Sequence, residues 1–186
     1  MREVKYSPIG VVHSPHRQPS GTPIQPTAAN NVKGIVEIYP EYVEGLKDME
    51  GFSHIMLLYH FHLSKGYSLL VKPYMDVAEH GVFATRAPRR PNPIGLSVVR
   101  LDKIEGNRLD IRDVDIVDGT PLLDIKPYVP QFDLRSEQTR IGWLEKRVRK
   151  LSLGQGIMED SAPRAPIDPF CCHSRSIDED EDANAL

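Results

Sequence analysis

The chain has 186 residues, 40% of them hydrophobic, and a formal net charge of −3, which fits one core-forming domain plus a tail. No apolar run approaches the roughly 18 residues of a membrane span and Met1–Lys5 lacks the apolar segment of a signal peptide, so a cytoplasmic protein with no membrane partner is expected. Cys171 and Cys172 are adjacent in a polar stretch, which excludes a disulfide framework.

The charge is uneven: residues 1–150 hold 21 Lys and Arg against 18 Asp and Glu, whereas residues 151–186 hold 2 against 8. A mildly basic body permits nucleic-acid binding without demanding it. In chain order, residues 5–13 predict a strand and 14–31, rich in Pro, Ser, Gly and Thr, a long loop of the kind that is often functional. Val32–Tyr39 alternates as a half-buried strand, and Pro40–Asp48 predicts a short helix with Pro40 in its first turn. His54–Leu63 is the strongest strand: Ile55, Leu57, Tyr59, Phe61 and Leu63 share a core face, and histidines end the other.

Ser68–Lys72 predicts a short strand. Leu96–Ile104 and Leu109–Val117 flank a Gly-Asn turn as a hairpin, and Leu122–Ile125 predicts another short strand. Ile141, Leu144, Val148 and Leu151 form one helical stripe, which predicts a helix over 138–150 with a basic opposite side. Residues 152–186 end in an acidic run and are expected to be disordered. The expected fold is mainly β: a small β-barrel over 1–135 with short helices, a C-terminal basic helix over 136–151, and the tail.

Phe83–Ser97 packs Pro88, Pro91 and Pro93 with Arg86, Arg89 and Arg90. Each proline removes a backbone donor and restricts its neighbour, so the segment predicts a stiff loop that holds guanidinium groups for an anionic partner. Pro91-Asn92-Pro93 locks the turn, and Gly95 is expected to admit a ligand or a backbone. Asp118-Gly119-Thr120-Pro121 predicts a turn offering a carboxylate, a hydroxyl and free amides, with Asp124 facing away from the core toward the same cavity.

His60-x-His62 resembles half of a cupin-like metal site, but no carboxylate follows at short spacing and His54 is too distant along the strand, so no metal is expected. No Gly-x-Gly-x-x-Gly, Walker loop, Gly-x-Ser-x-Gly or Cys-x-x-Cys is present.

Phe-Ala-Thr-Arg-x-x-x-Arg-Pro-Asn-Pro-Ile-Gly-Leu-Ser at 83–97, with Asp-Gly-Thr-Pro-x-x-Asp-Ile-Lys-Pro-Tyr at 118–128, resembles the TsaA-like, or TrmO, family. Ile9-Gly10-Val11, Ser14-Pro15, Gln25-Pro26, Gly34, Gly51–His54 and Phe61-His62 match its N-terminal half in order. The resemblance implies a homodimeric β-barrel methyltransferase that uses S-adenosylmethionine. The implied substrate is N6-threonylcarbamoyladenosine beside the tRNA anticodon, methylated on N6.

The resemblance assigns cofactor binding to Gln25, Pro26, Thr27, His62, Leu63, Arg86, Leu96, Asp118, Gly119, Thr120 and Pro121. Leu63 replaces a residue that is often polar in relatives. Arg89, Arg90, Asn92, Lys126 and Tyr128 are the candidates for holding the tRNA anticodon loop, and Asp118 and Asp124 are candidate bases for the N6 proton, with water a third acceptor. Alternative readings are a non-catalytic RNA-binding barrel, a methyltransferase for another small acceptor, or a cupin-like enzyme using His60 and His62.

Overall fold

The computed structural model describes residues 3–20, 22, 29–73, 76–135 and 137–145. The strands are β1 (Gly10–His13), β2 (Lys33–Ile38), β3 (His54–His60), β4 (Leu70–Val71), β5 (His80–Gly81), β6 (Ile94–Glu105), β7 (Arg108–Arg112) and β8 (Thr120–Pro127). Six of them close an antiparallel barrel in the order β1-β2-β7-β6-β3-β8, and β4 pairs with β5 in a separate ribbon. The expected β-barrel is therefore present.

Alternation in β3 places Ile55, Leu57 and Tyr59 in the barrel core with Val12, Val36, Leu109 and Leu122. Met56, Leu58 and His60 point outward and stay partly exposed. The strand ends at His60 rather than Leu63. The Phe61 amide donates to the Pro93 carbonyl (2.8 Å) and the His62 amide turns back onto the His60 carbonyl (2.8 Å). β1 begins at Gly10, later than the expected strand at 5–13, although Ile9 already bonds Leu122.

β6 starts at Ile94, inside the proline–arginine segment, and its hairpin to β7 turns at Gly106 with φ of 60°. β7 stops at Arg112, five residues before Val117. Asp113 takes a left-handed φ of 65° and its Oδ1 accepts from the Asn31 amide at 2.7 Å. Val114 and Ile116 remain buried, so apolar alternation outlasts the hydrogen-bonded ladder that it resembles in sequence.

β8 is longer than the expected Leu122–Ile125. Tyr59 pairs with Leu122 but Leu58 pairs with Asp124, so Leu123 is an extra residue in the register. Such a bulge exchanges faces along a strand. Ile125 returns to the core, while Asp124 and Lys126 lie on the outer wall beside Leu58 and Met56.

Pro40–Leu46 forms the expected short helix, of 3-10 type, with Pro40 in its first turn. Of the helix expected over 138–150, residues 138–141 are irregular, Gly142–Leu144 forms a 3-10 turn in which Gly142 has φ of 57°, and Glu145 is helical. Residues 146–150 and the acidic tail lie outside the described residues.

Antiparallel closure gathers the functional segments. β1, β7 and β3 end, and β2, β6 and β8 begin, at the same barrel end. The connections 14–32, 61–93 and 113–119 therefore leave and re-enter the barrel at one mouth.

Candidate active site

The 113–119 connection is tied to β1. Asp118 Oδ1 accepts from the Ser14 amide (3.1 Å), its Oδ2 is ion-paired with Arg17, and His13 Nδ1 lies 3.6 Å from Oδ1. The Gly119 amide donates to the Val12 carbonyl (2.9 Å), and Gly119 has φ of 76°. Thr120 donates its hydroxyl to the Val117 carbonyl (2.6 Å) and lies 3.4 Å from His62 Nδ1, which joins two segments far apart in sequence. Burial, then the nearby His60, pushes His62 below the usual imidazole range, so its neutral form is favoured.

The proline–arginine loop is braced by its own backbone. The Thr85 hydroxyl donates to the Val82 carbonyl (2.9 Å) and accepts from the Ala87 amide (3.3 Å). Arg90 folds back, donating Nη1 to the Thr85 carbonyl at 3.3 Å, and the Ser64 hydroxyl bonds the Pro88 carbonyl at 3.1 Å. Arg89 and Arg90 are half-buried; Arg86 is the exposed member of the trio and makes no ion pair among the described residues.

Trp143, to which no role was given from sequence, donates Nε1 to the Ala84 carbonyl (2.9 Å) and stacks on His80 with ring centroids 4.3 Å apart. Its being the only tryptophan in the chain was the one available signal.

A second constellation went unnoticed in the sequence. The Ser97 hydroxyl, 1% exposed, donates to Asp115 Oδ1 at 2.7 Å and lies 3.1 Å from the Tyr59 hydroxyl. Burial, then the Asp115 charge, pushes the Tyr59 hydroxyl up to about 12. Burial also raises the Asp115 carboxyl above the usual carboxylate range, against the lowering pull of Ser97, its own amide, Arg86 and His16.

The remaining candidates are spread apart. Asp124 is on the outer wall with Oδ2 2.7 Å from Lys126 Nζ, rather than in the cavity expected from alternation. Tyr128 packs edge-on against His54, 6.3 Å between centroids, at the opposite barrel end. The seven residues of β3 separate it from the mouth by roughly 20 Å. Leu96 and Leu63 are 50% and 44% exposed. Gln25, Pro26 and Thr27 lie outside the described residues. Among the described residues no three His, Cys, Asp or Glu side chains are grouped to hold a metal, so His60 and His62 acquire no third ligand there.

Residues 11–134, a span that contains all three mouth connections, match the tRNA-methyltransferase O N-terminal domain. The chain belongs to this family. It is 66% identical over 146 residues to a "probable S-adenosyl-L-methionine-binding protein" of Pyrococcus abyssi, covering 78% of this chain and 79% of that one. It is 37% identical to the human tRNA (adenine(37)-N6)-methyltransferase, covering 68% of this chain but 30% of the human protein. A solved structure of TrmO from Pseudomonas aeruginosa superposes with a TM-score of 0.65 and 42% identity, over 76% of this chain and 62% of that chain. The chain thus spans less than two thirds of the solved structure it matches.

Proposed function

We propose that this protein transfers a methyl group from S-adenosylmethionine to N6 of threonylcarbamoyladenosine beside the anticodon of tRNA. The observation that carries the reading is that the family-matched span encloses the single barrel mouth where Arg86, His62 and Thr120 sit. The names of its relatives, an S-adenosyl-L-methionine-binding protein and a tRNA (adenine(37)-N6)-methyltransferase, support the same chemistry.

The residues present suit such a ligand. Arg86 offers an exposed guanidinium for a carboxylate. Neutral His62, the Thr120 hydroxyl and the Asp118–Pro121 turn offer polar edges. Leu63 and Leu96 offer exposed apolar surface, and the family resemblance adds Gln25, Pro26 and Thr27 to the cofactor set. When bound, S-adenosylmethionine supplies a methyl group on a positively charged sulfur. The protein's share is alignment: stiff loops hold donor and acceptor at attack distance, and proximity lowers the barrier.

Arg89 and Asn92 serve the RNA side, and Arg90 does so while bracing the loop. Lys126 and Tyr128 meet RNA only along the outside of the barrel, where an aromatic ring offers a stacking surface. The outer face of β3 and β6 pairs Met56 with Val98, Leu58 with Leu96 and His60 with Ile94. This largely apolar wall supports a homodimer. A tRNA substrate is in keeping with a cytoplasmic location.

Mass spectrometry of tRNA nucleosides after incubation with the protein and S-adenosylmethionine tests the reading. One added methyl on threonylcarbamoyladenosine is the expected result. Cofactor binding without methyl incorporation favours a non-catalytic barrel, and methylation of another acceptor alone removes tRNA as the substrate.

A further inference from the structure

The carboxylates at and near the mouth differ in what already holds them. Asp118 is engaged by the Ser14 amide, Arg17 and His13. Asp124 pairs with Lys126 and accepts from the Ile125 amide at 2.9 Å on the outer wall. Asp115 has a different environment. Its side-chain donor is the buried Ser97 hydroxyl, at 2.7 Å. Because Ser97 gives its proton to the carboxylate, Tyr59 must donate to Ser97 across their 3.1 Å contact. The chain runs one way, Tyr59 to Ser97 to Asp115, and fixes one oxygen of the carboxylate. No ion pair engages Asp115 among the described residues, and Arg86 and His16 act on it through space.

We propose that Asp115 is the general base of the methyl transfer, an assignment that rests on the reading of this protein as a tRNA N6-methyltransferase. The modified adenosine retains one N6–H. As the N6–carbon bond forms, the carbon–sulfur bond breaks with its electrons going to sulfur. The N6 proton passes to the Asp115 carboxylate and then to solvent. Removal from water strengthens the carboxylate's hold on a proton, and the hydroxyl chain keeps its orientation while it accepts one. The charged or titratable groups facing it are Tyr59, Arg86 and His16. Of these, the His16 imidazole is the group whose ordinary range is nearest neutrality.

Asp115→Asn keeps the side-chain shape and an oxygen acceptor for Ser97. Single-turnover methylation of tRNA is expected to fall about 100-fold or more, with the S-adenosylmethionine Kd from isothermal titration within about threefold of wild type. The wild-type rate should rise with pH along a limb that Asp115→Asn abolishes and His16→Gln retains. In the free protein, carbon-13 NMR should find the Asp115 carboxyl titrating above ordinary aspartates. Ser97→Ala, which removes a donor to the charged form, should move the limb to higher pH, a reading independent of whether Asp115→Asn folds.

A rate for Asp115→Asn within about threefold of wild type overturns the assignment. So does a limb that vanishes in His16→Gln or stays unmoved in Ser97→Ala. If wild-type protein neither binds S-adenosylmethionine nor methylates tRNA, the parent reading fails and this one with it. An active wild type beside an equally active Asp115→Asn removes only the base.

Discussion

The ring of Tyr59 fills the space that a side chain at Gly95 would need. The two residues face each other across β3 and β6, and a Cβ on Gly95 would lie 2.3 Å from Tyr59 Cε2. The glycine therefore makes room for an internal aromatic ring, whereas the sequence suggested room for a ligand or a backbone. The lying-down ring packs edge-on to Phe61, 5.3 Å between centroids, and brings its hydroxyl to Ser97.

Gly95→Ala should accordingly destabilise the barrel by about 1–3 kcal/mol, the usual cost of overpacking a filled core. Urea unfolding checks this. An unchanged midpoint would refute the packing relationship.

The exposed and the folded-back arginines should separate on substitution. On the proposed role of Arg86 toward the cofactor's carboxylate, Arg86→Ala should cost about 1.5–3 kcal/mol of binding, roughly tenfold to a hundredfold in Kd. Arg90→Ala removes a brace to the Thr85 carbonyl and should lower stability by about 1 kcal/mol with a smaller effect on Kd. Isothermal titration and thermal melts on the two variants distinguish the roles; equal losses of Kd would contradict the division.

Asp115 should also leave a mark on stability against pH. Its carboxyl is raised in the folded state by burial. The folded protein thus holds that proton more tightly than the unfolded chain. The contribution is fully present below the ordinary carboxylate range and is lost as pH rises through the raised value. Asp115→Asn has no such loss. Urea unfolding at about pH 4 and pH 7 should find the variant gaining on wild type at the higher pH. A constant difference would mean that the carboxyl is not raised.

For the apolar wall, Leu96→Glu places a charge on an outward position opposite Leu58. Because the residue is half-exposed, the barrel core is spared. Sedimentation should find wild-type dimer and variant monomer with little change in melting temperature. A wild-type monomer, or a dimer in both, would remove this face as the contact.

The clearest elements of the sequence were those with local causes. Alternation marked the core face of β3, prolines marked the stiff arginine loop, and the Asp118-Gly119 turn was legible from its residue types. Other boundaries were hidden because a tertiary contact set them. Asp113, accepting from Asn31, ends β7 while Val114 and Ile116 continue its apolar rhythm. The extra residue at Leu123 sends Asp124 to the outer wall, a change of face that no local pattern announces.

The sequence alone determined that three polar, loop-forming segments would punctuate a set of short strands, because proline geometry and strand periodicity act over a few residues. Barrel closure decided that these segments share one mouth. It also decided what holds each carboxylate there. Asp118 is engaged by Ser14, 104 positions away, and Asp115 meets Ser97 across 18. Whether a carboxylate is paired or left as a base depends on distances of a few ångströms between residues remote in the chain, and only the folded chain specifies them.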